Sequence, residues 1–514
     1  MRVLRLRGLL GRRRAPRPSS PDSSVDERAC REVFGEAARL EGLHPFERDL
    51  QGAFCWTRRR FTLRIPAEAR FWSIQLCYPL EGEQLVARDR RGAQVVVPLH
   101  EGWQTYGLDL SALEGEPIAF EVSRAVAAAA DPRELGVRVR RVRRLRDAAA
   151  CERLARVLQN RALNERELAA GAVTLTSLPP LIRIAVETRC NIKPRCVYCD
   201  WEKAKQDEAE SDFRFSHAAI DELGAFYTAS DAVAELGYGE PPMSPDFTRL
   251  VETFSADGKA FAFACNGQVL GPAVRQPLLG KDIHVFVSID GATAESYARY
   301  RNEAFDLVIA NLAALCAEKK AHRNLPIVTA SFIVMRSNAG ELEAYLDLMQ
   351  RAGVDAVRVM GLDAYARLLQ RAEQRGGARY DYADERLSFE QLEQFVAGAK
   401  EAARCRSMPL YSVTDFGLEG HGGGRPLCEE PWRAMNVLNR GIIACCNNKV
   451  DRLAEWSERG DRSVEQFLGD VWNGPAYREL RATLARGELP EICRKSGSCS
   501  IVARYHRPDG HREP

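Results

Sequence analysis

The sequence has neither a long apolar run nor a large net charge, and both absences narrow the possible functions. No stretch of about 18 uncharged apolar residues occurs, which is roughly the length that a membrane-spanning helix needs, and no early segment is apolar enough for the core of a signal peptide. The 73 Lys and Arg residues against 71 Asp and Glu residues leave a formal net charge of +2, so the composition does not require nucleic acid as a partner. We therefore expect a cytoplasmic protein without a transmembrane segment.

Positive charge is nevertheless concentrated at the start of the chain. Residues 1–17 contain seven arginines, and Pro, Ser and Asp residues follow them. Such a segment is typical of a solvated tail, although it also suits an arm that binds a membrane surface or an anionic partner. We predict that residues 1–28 form a disordered basic arm.

Cysteine is abundant, with 15 residues, and unevenly distributed. A disulfide framework is typical of small secreted domains, so metal binding or catalysis is the better interpretation for a long chain expected in the cytoplasm. Six cysteines stand singly and are predicted to be small buried side chains: Cys30, Cys55, Cys77, Cys151, Cys316 and Cys405. The others gather at 190–199 and 428–499, with Cys265 alone between these groups.

The first third of the chain has the alternating pattern of β-strands. From about residue 45 to 146, apolar residues recur at every second position, as in Phe61, Leu63 and Ile65, and turn residues separate the strands at intervals of about 8–15 residues. This pattern favours an antiparallel β-sandwich over residues 29–148, followed by a helical connector over 149–178.

Three segments of this predicted sandwich, residues 54–57, 102–103 and 131–137, resemble small β-modules attached to glycosyltransferases and other cell-surface glycan proteins. By this resemblance, Trp56 and Trp103 would stack on sugar rings. The alternative is that both are aromatic residues of the sandwich core.

After residue 180 the pattern changes to strands that alternate with helices. Helical segments such as 305–320 and 340–352 separate six apolar runs: Leu181–Val186, Ala232–Leu236, Ala260–Ala264, Ile283–Ile289, Ile327–Val334 and Ala356–Val359. This alternation gives a parallel sheet with right-handed crossovers. Six units are fewer than the eight of a closed barrel, so we predict a partial barrel over 179–410 with its chemistry at the C-terminal ends of the strands.

Three cysteines follow the first of these strands at a spacing suited to an iron–sulfur cluster. Cys190-x5-Cys196-x2-Cys199 places three thiolates on one loop, enough for three irons of a 4Fe–4S cluster, and leaves the fourth iron open to a ligand. Zinc is the alternative, but it requires a fourth protein ligand, and the nearest histidine, His217, lies beyond a charged stretch.

Later strand ends carry further polar motifs: Gly239-Glu240-Pro241, Cys265-Asn266-Gly267, Ser288-Ile289-Asp290-Gly291 followed by Tyr300-Arg301, and Met335-Arg336-Ser337-Asn338. Together with the cysteine loop they resemble the radical S-adenosylmethionine (SAM) superfamily over roughly residues 180–500. The resemblance implies a partial (β/α)6 barrel that binds a 4Fe–4S cluster and SAM. Taken singly, Asp290-Gly291 also suits a common turn, and Asn338 also suits a helix cap.

The resemblance assigns roles to individual residues. It makes Cys190, Cys196 and Cys199 the cluster ligands and places Tyr198 beside the SAM adenine. The residues expected to bind the remainder of SAM are Gly239, Glu240, Pro241, Asn266, Ser288, Arg301 and Asn338. Asp290 is expected to face the substrate, and Cys265 and Cys445 are candidates for returning a hydrogen atom to a substrate radical.

A second cysteine group follows near the C-terminus. The spacing Cys428-x12-Gly441-x4-Cys446, with Cys493-x5-Cys499 after it, resembles the SPASM and twitch extensions of this superfamily, which hold auxiliary clusters. The resemblance implies one auxiliary 4Fe–4S cluster within residues 411–514, bound by Cys428, Cys446, Cys493 and Cys499, with Cys445 as the alternative to Cys446. Structural zinc is the other possibility, because four thiolates satisfy either metal.

The function implied by the resemblance is reductive cleavage of SAM to a 5′-deoxyadenosyl radical, which then oxidises, cross-links or epimerises the substrate at an unactivated C–H position. A reduced flavodoxin or ferredoxin would supply the electron. The substrate is a peptide, as for most SPASM enzymes, or a carbohydrate or glycolipid intermediate, as the sandwich resemblance suggests. A non-catalytic two-cluster electron carrier is a further alternative, although it would not need Gly239-Glu240.

Overall fold

The computed structural model describes most of the chain as two compact units. The described residues are 33–34, 38–49, 52–66, 69–114, 117–128, 131–199, 212–235, 239–362, 368–375, 378–412, 426–437, 441–443, 452–494, 499 and 501–502. One unit holds the described residues up to Ala162 together with Ala321–Asn324, and the other holds Leu163–Lys320 and the described residues from Leu325 onward. The basic arm predicted for residues 1–28 lies outside the described residues.

The N-terminal unit is built from antiparallel strands. They are β1 (Ala38–Asp49), β2 (Gly52–Arg64), β3 (Phe71–Tyr78), β4 (Gln84–Arg88), β5 (Gln94–Pro98), β6 (Gly102–Asp109), β7 (Ile118–Val122), β8 (Val126–Ala128), β9 (Asp131–Leu135) and β10 (Arg138–Arg144). The main sheet has the order β5-β4-β7-β2-β10-β3-β6, with β1 beside β2, and β8 and β9 form a separate ladder. All of these ladders are antiparallel, as the alternating sequence predicts.

This sheet must curl, because its two edge strands are consecutive in the chain. β5 and β6 lie at opposite ends of the strand order, yet only residues 99–101 connect them. The connection spans at most about 14 Å, whereas the interstrand gaps of a flat sheet would separate the edges by about 29 Å. Side chains from all strands of the main order share one core, which includes Trp72, Tyr106 and Phe120. The sheet therefore closes over its core in the manner of a sandwich.

The two tryptophans of the sandwich resemblance pack against arginines. The guanidinium carbon of Arg138 lies 4.4 Å from the Trp56 ring centroid, and that of Arg140 lies 4.0 Å from the Trp103 ring centroid. Trp56 is only 8% exposed and packs with Phe54. Because a cation covers one face of each ring, this geometry favours a packing role for both residues over stacking on a sugar.

The second unit contains a parallel sheet whose first six strands follow chain order. These are β11 (Leu181–Ile184), β12 (Ala232–Glu235), β13 (Ala260–Cys265), β14 (Ile283–Ser288), β15 (Ile327–Val334) and β16 (Ala356–Gly361). Each strand pairs in parallel with the next. The six strands predicted from the sequence are confirmed, and with them the partial (β/α)6 arrangement.

Helices precede, connect and follow these strands. They are α1 (Ala148–Ala169), α2 (Ala219–Glu222), α3 (Ala225–Ala229), α4 (Phe247–Ala256), α5 (Pro272–Arg275), α6 (Ala294–Tyr300), α7 (Phe305–Glu318), α8 (Leu342–Ala352), α9 (Tyr382–Glu385), α10 (Phe389–Cys405), α11 (Glu430–Arg433), α12 (Val464–Trp472), α13 (Pro475–Ala485) and α14 (Glu491–Arg494). Thr293 caps α6 and Ser388 caps α10, each in a capping box that satisfies exposed N–H groups of the first turn. Among the described residues, no helix is long and apolar enough to span a membrane.

Side chains of the parallel strands alternate between a helix-covered face and an inner face. On β14, Val285 and Val287 belong to the core that also contains Leu312 of α7, whereas His284 and Phe286 stack on each other at 4.0 Å on the opposite face. Val, Ile and Phe residues bury the outer face against the helices, as expected for a parallel sheet. The inner face and the strand ends are where this sheet places polar groups.

The C-terminal segment continues the barrel sheet. β19 (Leu410–Ser412) pairs in parallel with β16, β20 (Ala434–Val437) pairs in parallel with β11, and β21 (Gly441–Ile443) and β22 (Arg452–Glu455) extend the sheet as antiparallel strands. β17 (Ala372–Arg375) and β18 (Ala378–Asp381) form a separate hairpin. The barrel and the described part of the C-terminal extension thus share one ten-stranded sheet.

Candidate active site

The three clustered cysteines lie on the loop that follows β11. Cys199 donates its backbone N–H to the Cys196 carbonyl (3.1 Å), and the buried Val197 between them donates to the Tyr300 carbonyl (3.0 Å). Burial raises the pKa of the Cys196 thiol to about 12 and also raises that of Cys190, and the proximity of Cys199 adds to both effects. The loop therefore carries three half-buried cysteines, the number of protein ligands that leaves one iron of a 4Fe–4S cluster open.

Glu240 lies beside this loop with one carboxylate oxygen paired and the other unpaired. Its backbone N–H donates to the carbonyl of Arg189 (2.8 Å), next to Cys190, and its Oε2 accepts the N–H of Asn266 (2.8 Å). Its Oε1 is buried without a hydrogen-bond partner in the described structure, the residue is only 1% exposed, and burial raises its pKa to about 8. An unpaired buried carboxylate oxygen is costly, so Oε1 is open to a hydrogen-bond donor from outside the described residues.

The residues on either side of Glu240 fix its backbone. Gly239 has a φ of +64°, and a Cβ atom there would lie 2.2 Å from the Glu187 carbonyl oxygen, so only glycine permits this close approach of two strand ends. Pro241 is buried and begins a short 3₁₀ helix. Residues 237–238 lie outside the described residues.

Asp290 connects the cysteine loop to the end of β14. Its Oδ2 accepts hydrogen bonds from the Tyr198 hydroxyl and from Arg301 Nε (2.6 Å for Arg301), and its Oδ1 accepts the backbone N–H of Ile333 (2.9 Å). The Arg301 guanidinium also lies 5.6 Å from the Tyr198 ring centroid. Asp290 is fully buried and both of its oxygens are occupied by protein donors, so this geometry supports a positioning role and not the substrate contact expected from the sequence.

Asn338 is likewise fully buried and bonded to the protein. Its Nδ2 donates to the carbonyls of Asp290 (2.9 Å) and Ile333 (3.0 Å), and its Oδ1 accepts the N–H of Met335 (2.7 Å). These bonds hold the turn after β15 against the end of β14. Asn338 therefore shapes the site through the backbone.

At the end of β13, two neighbouring residues have different surroundings. Cys265 is only 3% exposed and shares the helix-covered core with Phe263, where burial raises its pKa well above the ordinary value. Asn266 Nδ2 donates to Asn191 Oδ1 (2.8 Å) and lies 3.8 Å from the Cys190 sulfur. The placement agrees with a site role for Asn266 but does not support hydrogen return by Cys265.

The inner face also carries a charged residue that none of the sequence motifs includes. Arg358 of β16 pairs in register with Ser331 of β15, which pairs with Ser288 at the end of β14. A sequence signal for it existed, because an arginine at the centre of the apolar run 356–360 occupies an inner-face position of a buried strand.

Three of the predicted C-terminal ligands belong to the described residues. Cys428 is half-buried and packs against the barrel core, Cys493 lies on α14, and Cys499 is also described. Cys445 and Cys446 lie outside the described residues. Within the part of the chain that the structure describes, which includes Cys190, Cys196 and Cys199, no three His, Cys, Asp or Glu side chains are arranged to hold a single metal ion. The four-cysteine ligand set stays a prediction.

Comparison with known proteins finds one matching family and several similar proteins. Residues 428–500 match the SPASM family, an iron–sulfur cluster-binding domain. The chain is 32% identical over 324 residues to mycofactocin maturase MftC of Mycobacterium ulcerans, covering 60% of this chain and 77% of that protein. It is 32% identical over 169 residues to MftC of Mycobacterium tuberculosis, covering 32% of this chain and 40% of the relative. Among solved structures, SuiB of Streptococcus suis bound to precursor peptide SuiA aligns with a TM-score of 0.47 and 14% identity, covering 68% of this chain and 75% of SuiB.

Proposed function

The chain belongs to the radical SAM enzymes that carry a C-terminal SPASM domain, and from this premise we propose that it cleaves SAM reductively and modifies an unactivated C–H position of a peptide. Its cofactors are SAM and 4Fe–4S clusters, including an auxiliary cluster. Because the chain belongs to an enzyme family, we set aside the alternative interpretation as a non-catalytic electron carrier. The observation that carries the proposal is the unpaired, buried Oε1 of Glu240 beside the three-cysteine loop.

We assign the SAM-binding cluster to Cys190, Cys196 and Cys199, because three half-buried cysteines on one loop provide three ligands and leave one iron open. We assign the auxiliary cluster to Cys428, Cys446, Cys493 and Cys499, with Cys445 as the alternative to Cys446. The corresponding domains are a core barrel over 179–410 and an auxiliary-cluster domain over 411–514, preceded by a β-sandwich over 29–148 and a connector over 149–178.

The bound cluster and SAM supply the electron and the 5′-deoxyadenosyl radical, and the protein supplies binding, orientation and exclusion of water. Glu240 Oε1 is placed to accept hydrogen bonds from the SAM ammonium group. Gly239 and Pro241 fix the backbone that carries this carboxylate, and Asn266 orients its second oxygen. Ser288 completes the residues that we assign to SAM.

Asp290 takes the role of a positioning residue in this proposal. By accepting hydrogen bonds from Tyr198 and Arg301, it holds the Tyr198 ring on the cysteine loop and the Arg301 guanidinium against the same site. Tyr198 is then available to pack beside the SAM adenine. Asn338 fixes the backbone of Asp290 from the next strand.

We propose a peptide as the substrate because the relative that matches over 324 residues is named a maturase. The packing of Trp56 and Trp103 against arginines favours the peptide over the glycan. The position of Cys265 in the helix-covered core favours oxidation or cross-linking over an epimerisation that would use Cys265 as hydrogen donor, and Cys445, the other candidate donor, lies outside the described residues. A reduced flavodoxin or ferredoxin is the proposed electron donor.

Anaerobic reconstitution tests the cofactor assignment. The full chain should bind about eight irons and eight sulfides, and replacing Cys190, Cys196 and Cys199 with alanine should lower both to about half. The dithionite-reduced protein should release 5′-deoxyadenosine from SAM, and the triple variant should not. Cys405→Ala is the matched control, because Cys405 is exposed at the end of α10. Zinc in place of iron after reconstitution would contradict the proposal.

A further inference from the structure

Arg358 is a buried cation without an anionic partner in the described part of the chain. It is only 8% exposed, and its Nε has no hydrogen-bond partner there. Its guanidinium carbon lies 4.2 Å from the Phe286 ring centroid, and burial lowers its pKa. A buried charge without a counter-ion is costly to the fold, and a bound anion would relieve that cost.

The residues around Arg358 form a polar row across the inner face. The strand register places Ser288, Ser331, Arg358 and Tyr411 at one level on four neighbouring strands. The Ser331 hydroxyl is buried and also has no hydrogen-bond partner among the described residues. The row therefore offers one positive charge and an unpaired hydroxyl side by side.

A second arginine on the inner face, in contrast to Arg358, forms an ion pair within the chain. Arg183 of β11 is 1% exposed, forms an ion pair with Glu430 (2.9 Å) and donates to Asn436 Oδ1 (3.1 Å). Arg183 is thus neutralised by the chain itself. Arg358 lacks such an acid among the residues that the structure describes, so its charge is open to a bound anion there.

We propose that Arg358, together with Ser331, binds a carboxylate group of the substrate. A single guanidinium balances a single negative charge, and its planar fork matches a carboxylate in two parallel hydrogen bonds. Ser288, assigned to SAM, lies at the same level two strands away, or roughly 10 Å. A carboxylate held at Arg358 would therefore anchor the substrate beside SAM. This inference rests on the proposed peptide substrate, whose carboxylate belongs to its C-terminus or to an Asp or Glu side chain.

The stability of two arginine variants tests the absence of an internal partner. Arg358→Met should melt at the same temperature as the parent or higher, because it removes an unpaired buried charge and keeps the side-chain length. Arg183→Met is the matched control and should melt at a lower temperature, because it removes the buried ion pair with Glu430. If both variants lost stability equally, Arg358 would be structural and the proposal would be wrong.

Binding of small probes tests the ligand. On the reconstituted, SAM-loaded full chain, N-acetylglycine and the α-amide of N-acetylglutamate should raise the melting temperature, and N-acetylglycinamide should not. The larger of the two carboxylate effects identifies a C-terminal or a side-chain carboxylate as the natural ligand. Arg358→Met should require at least about tenfold more carboxylate for the same effect, and Ser331→Ala should weaken it less. A carboxylate effect that is absent from the parent, matched by the amide or unchanged in Arg358→Met overturns the proposal.

Two measurements separate this inference from the proposed function. Arg358→Met should still bind SAM and release 5′-deoxyadenosine without substrate, because Arg358 is assigned to the substrate. Loss of SAM binding in this variant would instead assign Arg358 to SAM and overturn the inference. If the parent itself released no 5′-deoxyadenosine, the proposed function would fail, whatever the carboxylate titration showed.

Discussion

Replacing Glu240 with glutamine tests the site most directly, because it keeps the shape of the side chain and removes only its charge. The parent Oε1 has no partner in the described structure, so it is open to a cationic ligand that binds the ionised carboxylate. Loss of a charge-assisted hydrogen bond, worth about 1.5–3 kcal/mol, should weaken SAM binding by about 10- to 150-fold. Equilibrium dialysis of SAM against reconstituted protein measures this directly.

The same variant should change how stability depends on pH. Burial raises the Glu240 pKa from 4.5 to about 8, so the SAM-free folded protein holds this proton over an interval in which the unfolded chain has lost it. Stability of the parent should therefore fall as the pH rises from about 4.5 to about 8, by at most roughly 4–5 kcal/mol from this group. Glu240→Gln should lack this decline, and SAM should bind the parent more tightly as the pH approaches 8, since the ligand requires the ionised carboxylate.

The control for Glu240→Gln is a carboxylate that is not assigned to the proposed SAM site. Glu295→Gln changes an exposed carboxylate that pairs with Arg299 on α6, and it should leave SAM binding unchanged. The visible absorbance of the cluster should survive in Glu240→Gln. If the cluster disappeared together with SAM binding, Glu240 would serve the iron and the assignment to the ammonium group would be wrong.

Two further substitutions test the supports of the site. Asp290→Asn breaks a buried ion pair with Arg301 and should lower the free energy of unfolding by about 3–5 kcal/mol. The control Asp306→Asn changes an exposed residue and should not lower it. Equal loss in both variants would contradict the hydrogen-bond network around Asp290. Gly239→Ala places a Cβ atom 2.2 Å from the Glu187 carbonyl oxygen, so equilibrium dialysis should detect weaker SAM binding. Gly271→Ala is the control, because its added Cβ atom would meet no other atom within 4 Å. Normal SAM binding in Gly239→Ala would show that the backbone there can move at no cost to the site.

The parallel strands could be predicted because each is an apolar run bounded by turn residues. β20 could not, since Ala434–Val437 is only four residues long and gains its pairing from β11, some 250 positions earlier in the chain. The environment of Cys265 was predictable in principle. Phe261, Phe263 and Cys265 alternate on β13, and the phenylalanines mark the helix-covered face.

The site itself was only partly predictable. Motifs at strand ends indicated Glu240 and the cysteines, because their spacing along the chain is short and regular. The carboxylate oxygens of Asp290 accept hydrogen bonds from Tyr198, Arg301 and the N–H of Ile333, which belong to three other segments. No local pattern specifies such a meeting. Arg358 gave a local signal, but its lack of a partner emerges only when its neighbours in space are known.

The ladder between β20 and β11 also has a consequence for protein engineering. β11 leads into the first cysteine loop, and Cys428 precedes β20 by only a few residues, so four paired residues tie the approaches to both proposed cluster sites into a single sheet. The Arg183–Glu430 ion pair joins the same two segments. An auxiliary domain transplanted from a relative would bring β20 without the β11 strand that it pairs with. Chimeras should therefore exchange β11 and β20 together, so that the spacing between the two proposed cluster sites is kept.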